Sequence, residues 1–94
     1  MTIASHRTII YKYGLAVKDG VQDFEWPVNS EVIKVHEQNG RIQMWVEQRE
    51  SNVDTEHRSF IVVGTGQAFP MEPHYRHLDT VFDARGLVWH VYEV

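Results

Sequence analysis

The chain has 94 residues, of which 13 are Asp or Glu and nine are Lys or Arg, so its formal net charge is −4. This acidic balance argues against a general binder of long nucleic acids, which needs a basic face to displace counterions. Cysteine is absent, which excludes disulfides and thiol catalysis, and no apolar run approaches the ~18 residues of a membrane span. We expect one folded domain over residues 1–94 with a loose end at residues 1–6, located in the cytoplasm.

Alternation of apolar and polar residues predicts the first two β-strands. The first covers residues 7–17 and places Ile10 and Lys12 on the face opposite its tyrosines. The second covers residues 21–26 and ends at Pro27, because proline cannot donate a hydrogen bond to a central ladder.

A β-hairpin is predicted over residues 32–47, since its two strand-like halves are joined by Asn39 and Gly40. Asn-Gly favours a type I′ turn, whose two residues both need positive φ, and such a turn fixes the strand register. Lys34 is then expected opposite Trp45. One face should carry the core residues Ile33, Val35, Ile42, Met44 and Val46, with Ile33 opposite Val46. The other should carry Lys34, His36, Gln38, Arg41, Gln43 and Trp45.

Three further strands follow, which makes about seven in all once the two halves of the hairpin are counted. The strand at residues 56–63 contains four consecutive apolar residues, which predicts that it is covered on both sides. Gly86 suits the left-handed position of the last hairpin turn. The short links favour an all-β antiparallel sandwich or small barrel with meander connections. The remaining segments are a polar loop at 49–55, an irregular stretch at 67–77, a strand at 78–82, a turn at 83–86 and a strand at 87–94.

Gly64, Thr65 and Gly66 follow a strand, as phosphate-binding loops do. They lack the third glycine, the lysine and the following helix that those motifs need. A simple turn is one interpretation. The other is that the backbone amides of this loop hold an anionic ligand, with Arg58 or Arg76 nearby.

Four histidines are candidates for metal ligands or for acid–base groups. His57, His74, His77 and His90 show no recognised metal-ligand spacing, so no metal and no cofactor are expected. Serine in a nucleophile elbow is absent, and the carboxylates are scattered over turns and strand surfaces. The sequence therefore favours a protein that is not an enzyme, without deciding the question.

Two of the three tryptophans differ in their predicted roles. Trp89 lies in an apolar strand and is expected in the core. Trp45 lies on the polar face of the predicted hairpin, which the core does not explain. It either packs beneath a second layer or subunit, or stacks on a ligand.

The pattern R-x-F-x-x-x-G-T-G spans residues 58–66, and L-V-W-H-V-x-E spans residues 87–93. With the strand around Tyr11 and the hairpin ending in Met44 and Trp45, these segments cover nearly the whole chain. The chain resembles a family of short, uncharacterised proteins found largely in bacteriophages and mobile elements. The resemblance implies a context and no specific activity. Small accessory phage proteins often act stoichiometrically against host defences.

These observations lead to a functional hypothesis and two alternatives. The first is a homo-oligomeric counter-defence protein in the host cytoplasm that sequesters a small anionic or nucleotide-like ligand without catalysis. The second is an inhibitor that covers a host defence protein, and the third is an enzyme acting on nucleotides through its histidines. The residues expected to bind the ligand are Lys34, Trp45, Arg58, Gly64, Thr65 and Gly66.

Overall fold

A computed structural model describes residues 7–50 and 54–94, where the regular structure consists of β-strands alone. The strands are β1 (Thr8–Leu15), β2 (Gln22–Pro27), β3 (Glu31–Gln38), β4 (Arg41–Arg49), β5 (Thr55–Gly64), β6 (Arg76–Phe82) and β7 (Val88–Glu93). All pairings are antiparallel, in a three-stranded sheet of order β1-β4-β3 and a four-stranded sheet of order β2-β5-β7-β6. The predicted all-β, sandwich-like fold is confirmed.

Two of the expected features lie outside the described residues: the loose end at 1–6, and the centre of the polar loop at 51–53. Within the described ranges, no helix is long and apolar enough to cross a membrane.

Several strand ends differ from the predicted ones. β1 stops at Leu15, where its pairing with β4 ends, and Val17 beyond it is half exposed. β4 continues to Arg49 and β5 begins at Thr55, so the loop between them is shorter than predicted. β6 begins at Arg76, inside the segment predicted to be irregular, because its first residues already pair with β7.

The predicted hairpin is formed by β3 and β4 around Asn39 and Gly40, whose φ angles are 55° and 79°. Both lie in the left-handed region that a type I′ turn requires. The Gly40 amide also donates to the Glu37 carboxylate at 2.7 Å, which holds the turn. The predicted register is confirmed from the turn back to the pair of Lys34 and Trp45.

The register prediction is wrong for the next pair, because β3 contains a bulge between Val32 and Lys34. Val32 pairs with Val46 and packs against the core. Ile33 was predicted to face the core and is 45% exposed instead. A bulge inserts one residue into a strand and so reverses the side-chain alternation beyond it.

The meander prediction is also wrong for most connections. Among the strands of residues 7–50 and 54–94, only β3–β4 and β6–β7 are hairpins between hydrogen-bonded neighbours, and β7 lies between β5 and β6. The chain passes between the two sheets from β1 to β2, from β2 to β3 and from β4 to β5. A short link allows such a passage as readily as a hairpin, so loop length did not determine which strands pair.

The core fills the space between the two sheets. From the three-stranded sheet come the predicted residues Val35, Ile42, Met44 and Val46, all at most 2% exposed. The four-stranded sheet contributes Phe60, Val62, Val81 and Val91, together with Trp26. Tyr13, Phe24, Trp26 and Phe60 form an aromatic cluster with ring centroids 5.0–5.8 Å apart.

As predicted, β5 is covered on both sides. Phe60 and Val62 face the core, while Val63 faces the opposite way and is still only 4% exposed. On that side the segment at 67–75 approaches the sheet, and its Phe69 packs on Tyr92 of β7 with the ring centroids 5.1 Å apart. The segment thus covers part of the outer surface of the four-stranded sheet.

Candidate functional site

The outer surface of the three-stranded sheet is centred on Trp45. Ile42, Met44 and Val46 of β4 point into the core, so Trp45 points outward from the middle strand. It is partly buried, and its cross-strand partners are Lys12 on β1 and Lys34 on β3. The tryptophan therefore has a lysine in register on each side.

Exposed isoleucines add apolar area to this surface. Ile10 on β1 is 52% exposed, and the β3 bulge turns Ile33 outward. Together with Trp45 they form part of a shallow depression of about 430 Å³. We call this surface the Trp45 face; it consists of Ile10, Lys12, Ile33, Lys34, His36, Gln38 and Trp45.

The residues of the Trp45 face include two lysines and no carboxylate, while Glu47, the next outward residue of β4, lies opposite Ile10 at the edge of this face. Lys12 reaches across β4, where its ammonium donates to the Gln38 side-chain oxygen at 2.8 Å, and Lys34 lines the depression directly. Within the part of the chain that the structure describes, no carboxylate lines this depression. An aromatic ring with cations on two sides matches the needs of a nucleotide, whose base stacks and whose phosphates need charge-assisted donors.

The structure does not bring Arg58 to the Trp45 face. Its guanidinium binds Glu93 through two nitrogens, donates to the Ser30 carbonyl at 2.9 Å, and lies 5.4 Å from the centre of the Trp26 ring. The Arg58 side chain is only 13% exposed. Hydrogen bonding of the Arg58 guanidinium to the Glu93 carboxylate is the main reason that the pKa of Arg58 is raised. These contacts give Arg58 a structural role on the four-stranded sheet.

Gly64, Thr65 and Gly66 also lie away from the Trp45 face, in the turn that follows β5. The Gly64 amide donates to the Gln67 side chain at 3.0 Å, and the Thr65 amide donates to the Val88 carbonyl at 3.2 Å. Gly66 has a φ of 89°, which suits glycine in a tight turn. Two of the amides that an anion would need are therefore already bonded within the protein.

The histidines of the four-stranded sheet bind neighbouring side chains. His90 is hydrogen-bonded to the Thr65 and Thr80 hydroxyls at 2.8 and 2.9 Å, and Thr80 is in turn bonded to His77 at 2.9 Å. In residues 7–50 and 54–94, no cluster of three or more His, Asp or Glu side chains has the arrangement of a metal site.

His57 lies on the same sheet between two carboxylates. Its Nδ1 is 3.0 Å from Glu25 and its Nε2 is 3.2 Å from Asp23. The hydrogen bond to Glu25, followed by that to Asp23, raises the pKa of His57 above its ordinary value of 6.5. The hydrogen bond from Ser59, followed by that from His57, lowers the pKa of Asp23. His57, Glu25 and Asp23 thus form a small ion-pair network at the protein surface.

Comparison with protein-family models gives one match, over residues 6–94, to the family described as "Domain of unknown function (DUF7352)". The chain belongs to this family. Comparison with curated proteins and with solved structures finds no match.

Sequence reasoning missed Lys12 and Ile10 as members of the site. The alternation of residues in β1 does place Ile10 and Lys12 together, on the face opposite the tyrosines. What was missing was the pairing of β1 with β4, which sets Lys12 opposite Trp45. In this member of the family, the site is thus assembled by a contact between strands about 30 residues apart in the chain.

Proposed function

We propose that this protein is a non-catalytic binding protein that sequesters a small anionic, nucleotide-like ligand on the Trp45 face. The observation that carries the proposal is the row formed by Lys12, Trp45 and Lys34 across three neighbouring strands. Of the residues expected from the sequence, Lys34 and Trp45 remain in the proposed site. Lys12 takes the place of Arg58 and the loop at 64–66, which lie on the other sheet.

In the proposed complex, a base stacks on the Trp45 ring and phosphate oxygens accept hydrogen bonds from the two ammonium groups. The Cα atoms of Lys12 and Lys34 are separated by two strand spacings, or about 10 Å. Lysine side chains reach inward over that distance, so both can contact the phosphates of one bound nucleotide. Stacking of one base on an aromatic ring contributes ~1–3 kcal/mol, which supports binding without a deep pocket.

The proposed biological role is counter-defence in the cytoplasm of a bacterial host, where the protein removes a nucleotide signal from solution. This step rests on the resemblance to phage and mobile-element proteins. A homo-oligomer is part of the proposal, because an open sheet face shields a bound ligand from water only when a second copy covers it.

Thermal-shift measurements against cyclic di- and trinucleotides and ADP-ribose derivatives test this function. We expect at least one of these compounds to raise the midpoint of unfolding, and Trp45→Ala to abolish the effect. Lys18→Gln removes an exposed lysine from the β1–β2 turn and should leave the shift intact. The absence of any shift would reject the proposal. Recovery of the unaltered ligand after denaturation would support sequestration, whereas a changed product would support the enzyme alternative.

A second candidate function is favoured by Ile10 and Ile33, which are 52% and 45% exposed beside Trp45. Exposed apolar groups grouped around an aromatic are typical of protein–protein contacts. The Trp45 face would then cover a host defence protein. In this case Ile10→Ser and Ile33→Ser should each abolish inhibition of that protein, and titration of the wild-type protein with nucleotides should show no binding. Nucleotide binding that survives both changes would favour the first function.

A further inference from the structure

A second cavity lies at the end of the three-stranded sheet, where β1 separates from the β3–β4 hairpin. Its walls come from the chain at 14–17, from Gly40 at the hairpin turn and from Arg85 in the β6–β7 turn. Its volume is about 500 Å³, within the range of small-molecule sites. We call it the Arg41–Arg85 cleft, after the two arginines that line it.

The charge of this cleft is one-sided. Arg41 and Arg85 are the charged residues of its lining, and among the described residues no carboxylate lines it. Glu37 is close in sequence, but it does not line the cleft and already accepts a hydrogen bond from the Gly40 amide. The cleft thus presents Arg41 and the part of the Arg85 guanidinium that Asp83 does not occupy, in a chain of net charge −4.

The turn that carries Arg85 is held in place by Asp83. Its carboxylate accepts hydrogen bonds from the amides of Arg85 and Leu87 at 2.8 and 3.0 Å, and from the Trp89 indole at 3.1 Å. It also contacts the Arg85 Nη2 atom at 2.9 Å. Arginine has five N–H donors, so this contact orients the guanidinium and leaves other donors for a ligand.

The inner wall of the cleft is apolar. Leu15 and Ile42, which are 4% and 2% exposed, form the part nearest the core. Gly14 and Gly40 provide walls without side chains. Val17, which also lines the cleft and is 50% exposed, offers the accessible apolar surface above Leu15 and Ile42. Two arginines beside this apolar surface fit a ligand that combines an anionic group with an apolar body.

We propose that the Arg41–Arg85 cleft binds a small organic phosphate, with the arginines on the phosphate and the apolar body against Val17, above the buried Leu15 and Ile42. This site is separate from the proposed nucleotide site. Arg41 and Trp45 are four residues apart on β4, or about 13 Å along the strand, and Trp45 does not line the cleft.

The test is a titration of the ¹⁵N-labelled protein with phenyl phosphate, followed by amide chemical shifts. We expect saturable shifts at Gly14 and at residues 84–87. Arg41→Gln and Arg85→Gln should each weaken binding by about fivefold or more, as for loss of one charge-assisted hydrogen bond. Arg49→Gln is the matched control, because it removes the same charge from the other end of β4. It should change the affinity less than twofold.

Gly14→Val provides a second test that keeps both arginines. A Cβ at this position meets the Gln43 side-chain oxygen at 3.5 Å, an ordinary contact, so the variant should fold and narrow the cleft. It should weaken phenyl phosphate binding, whereas Trp45→Ala should leave it unchanged. The proposal is overturned if Arg49→Gln weakens binding as much as Arg41→Gln does, if Gly14→Val has no effect, or if inorganic phosphate binds as tightly as phenyl phosphate.

Discussion

Arg58 and Glu93 form a two-point ion pair that joins β5 to β7. The Arg58 Nη2 atom lies 3.0 Å from Glu93 Oε1, and Nε donates to the other carboxylate oxygen. The side chains are only 13% and 16% exposed. Arg58 opens the R-x-F-x-x-x-G-T-G segment and Glu93 closes L-V-W-H-V-x-E, so the two segments meet in a structural cross-link.

Breaking this pair should destabilise the protein. Glu93→Gln is expected to lower the free energy of unfolding by about 1–3 kcal/mol, because it removes the carboxylate that binds a largely buried guanidinium at two points and leaves the contact with Glu56 at 3.3 Å as its remaining ion pair. Urea unfolding monitored by tryptophan fluorescence measures the change. Glu50→Gln is the control, since it breaks the exposed pair with Arg7, where less than about 1 kcal/mol is expected. Equal losses in the two variants would contradict the structural role of Arg58.

The β3 bulge predicts opposite sensitivities for two adjacent residues. Val32→Ala should lower the free energy of unfolding by about 1–2 kcal/mol, since Val32 packs against the core, whereas Ile33→Ala should cost less than about 0.5 kcal/mol. Urea unfolding of both variants tests the register directly. A regular hairpin without the bulge would give the reverse order.

Because two carboxylates lie beside His57, the titration of this histidine makes the free energy of unfolding of the protein depend on pH. Because the folded pKa of His57 is raised above 6.5, its stabilising contribution is complete below that pH and is lost as the pH rises through the folded pKa. His57→Gln should remove this loss, so its thermal midpoint should fall less than that of the wild type above pH 6.5. In an NMR titration of the His57 ring, Glu25→Gln should move the pKa back towards 6.5; an unmoved value would refute the assigned cause.

Asp83 has the opposite pH dependence. The hydrogen bond from the Trp89 indole, followed by that from Arg85, holds the pKa of Asp83 well below its ordinary value of 3.8. The contribution of the Asp83 carboxylate to the stability of the protein is therefore present above pH 3.8 and is lost as the pH falls through its pKa in the folded protein. Asp83→Asn should be less stable than the wild type at pH 7, with a smaller difference at pH 2. Urea unfolding at both values measures this, and Asp54→Asn, an exposed carboxylate elsewhere, should show no such convergence.

Substitution of either lysine beside Trp45 should weaken the affinity of the protein for a nucleotide. Lys12→Gln and Lys34→Gln should each weaken binding of the nucleotide found by thermal shift about three- to tenfold, as for an exposed charge-assisted hydrogen bond. Both effects should shrink at high salt, because exposed charges are screened there. Isothermal titration at two salt concentrations tests this. A loss confined to Lys34 would remove Lys12 from the site.

Local chemistry in the sequence determined the strands and the turns. The alternation of residues in β4 settled which side chains enter the core, and Asn39 and Gly40 settled the hairpin turn and five of its cross-strand pairs. These features depend on side-chain period and on backbone φ, which are properties of short segments. The outward position of Trp45 followed from the same alternation.

Beyond the hairpins, only the tertiary structure decided which strands pair. The pairing of β1 with β4 sets Lys12 beside Trp45, and the bulge exposes Ile33; neither follows from a periodic pattern. Arg58 looks like a free cation in the sequence, but Glu93, 35 residues later, neutralises it. Such contacts depend on the packing of whole sheets, whose energy is shared among residues far apart in the chain. The sequence of the β3–β4 hairpin thus determined part of the Trp45 face, and the pairing of β1 with β4 completed it.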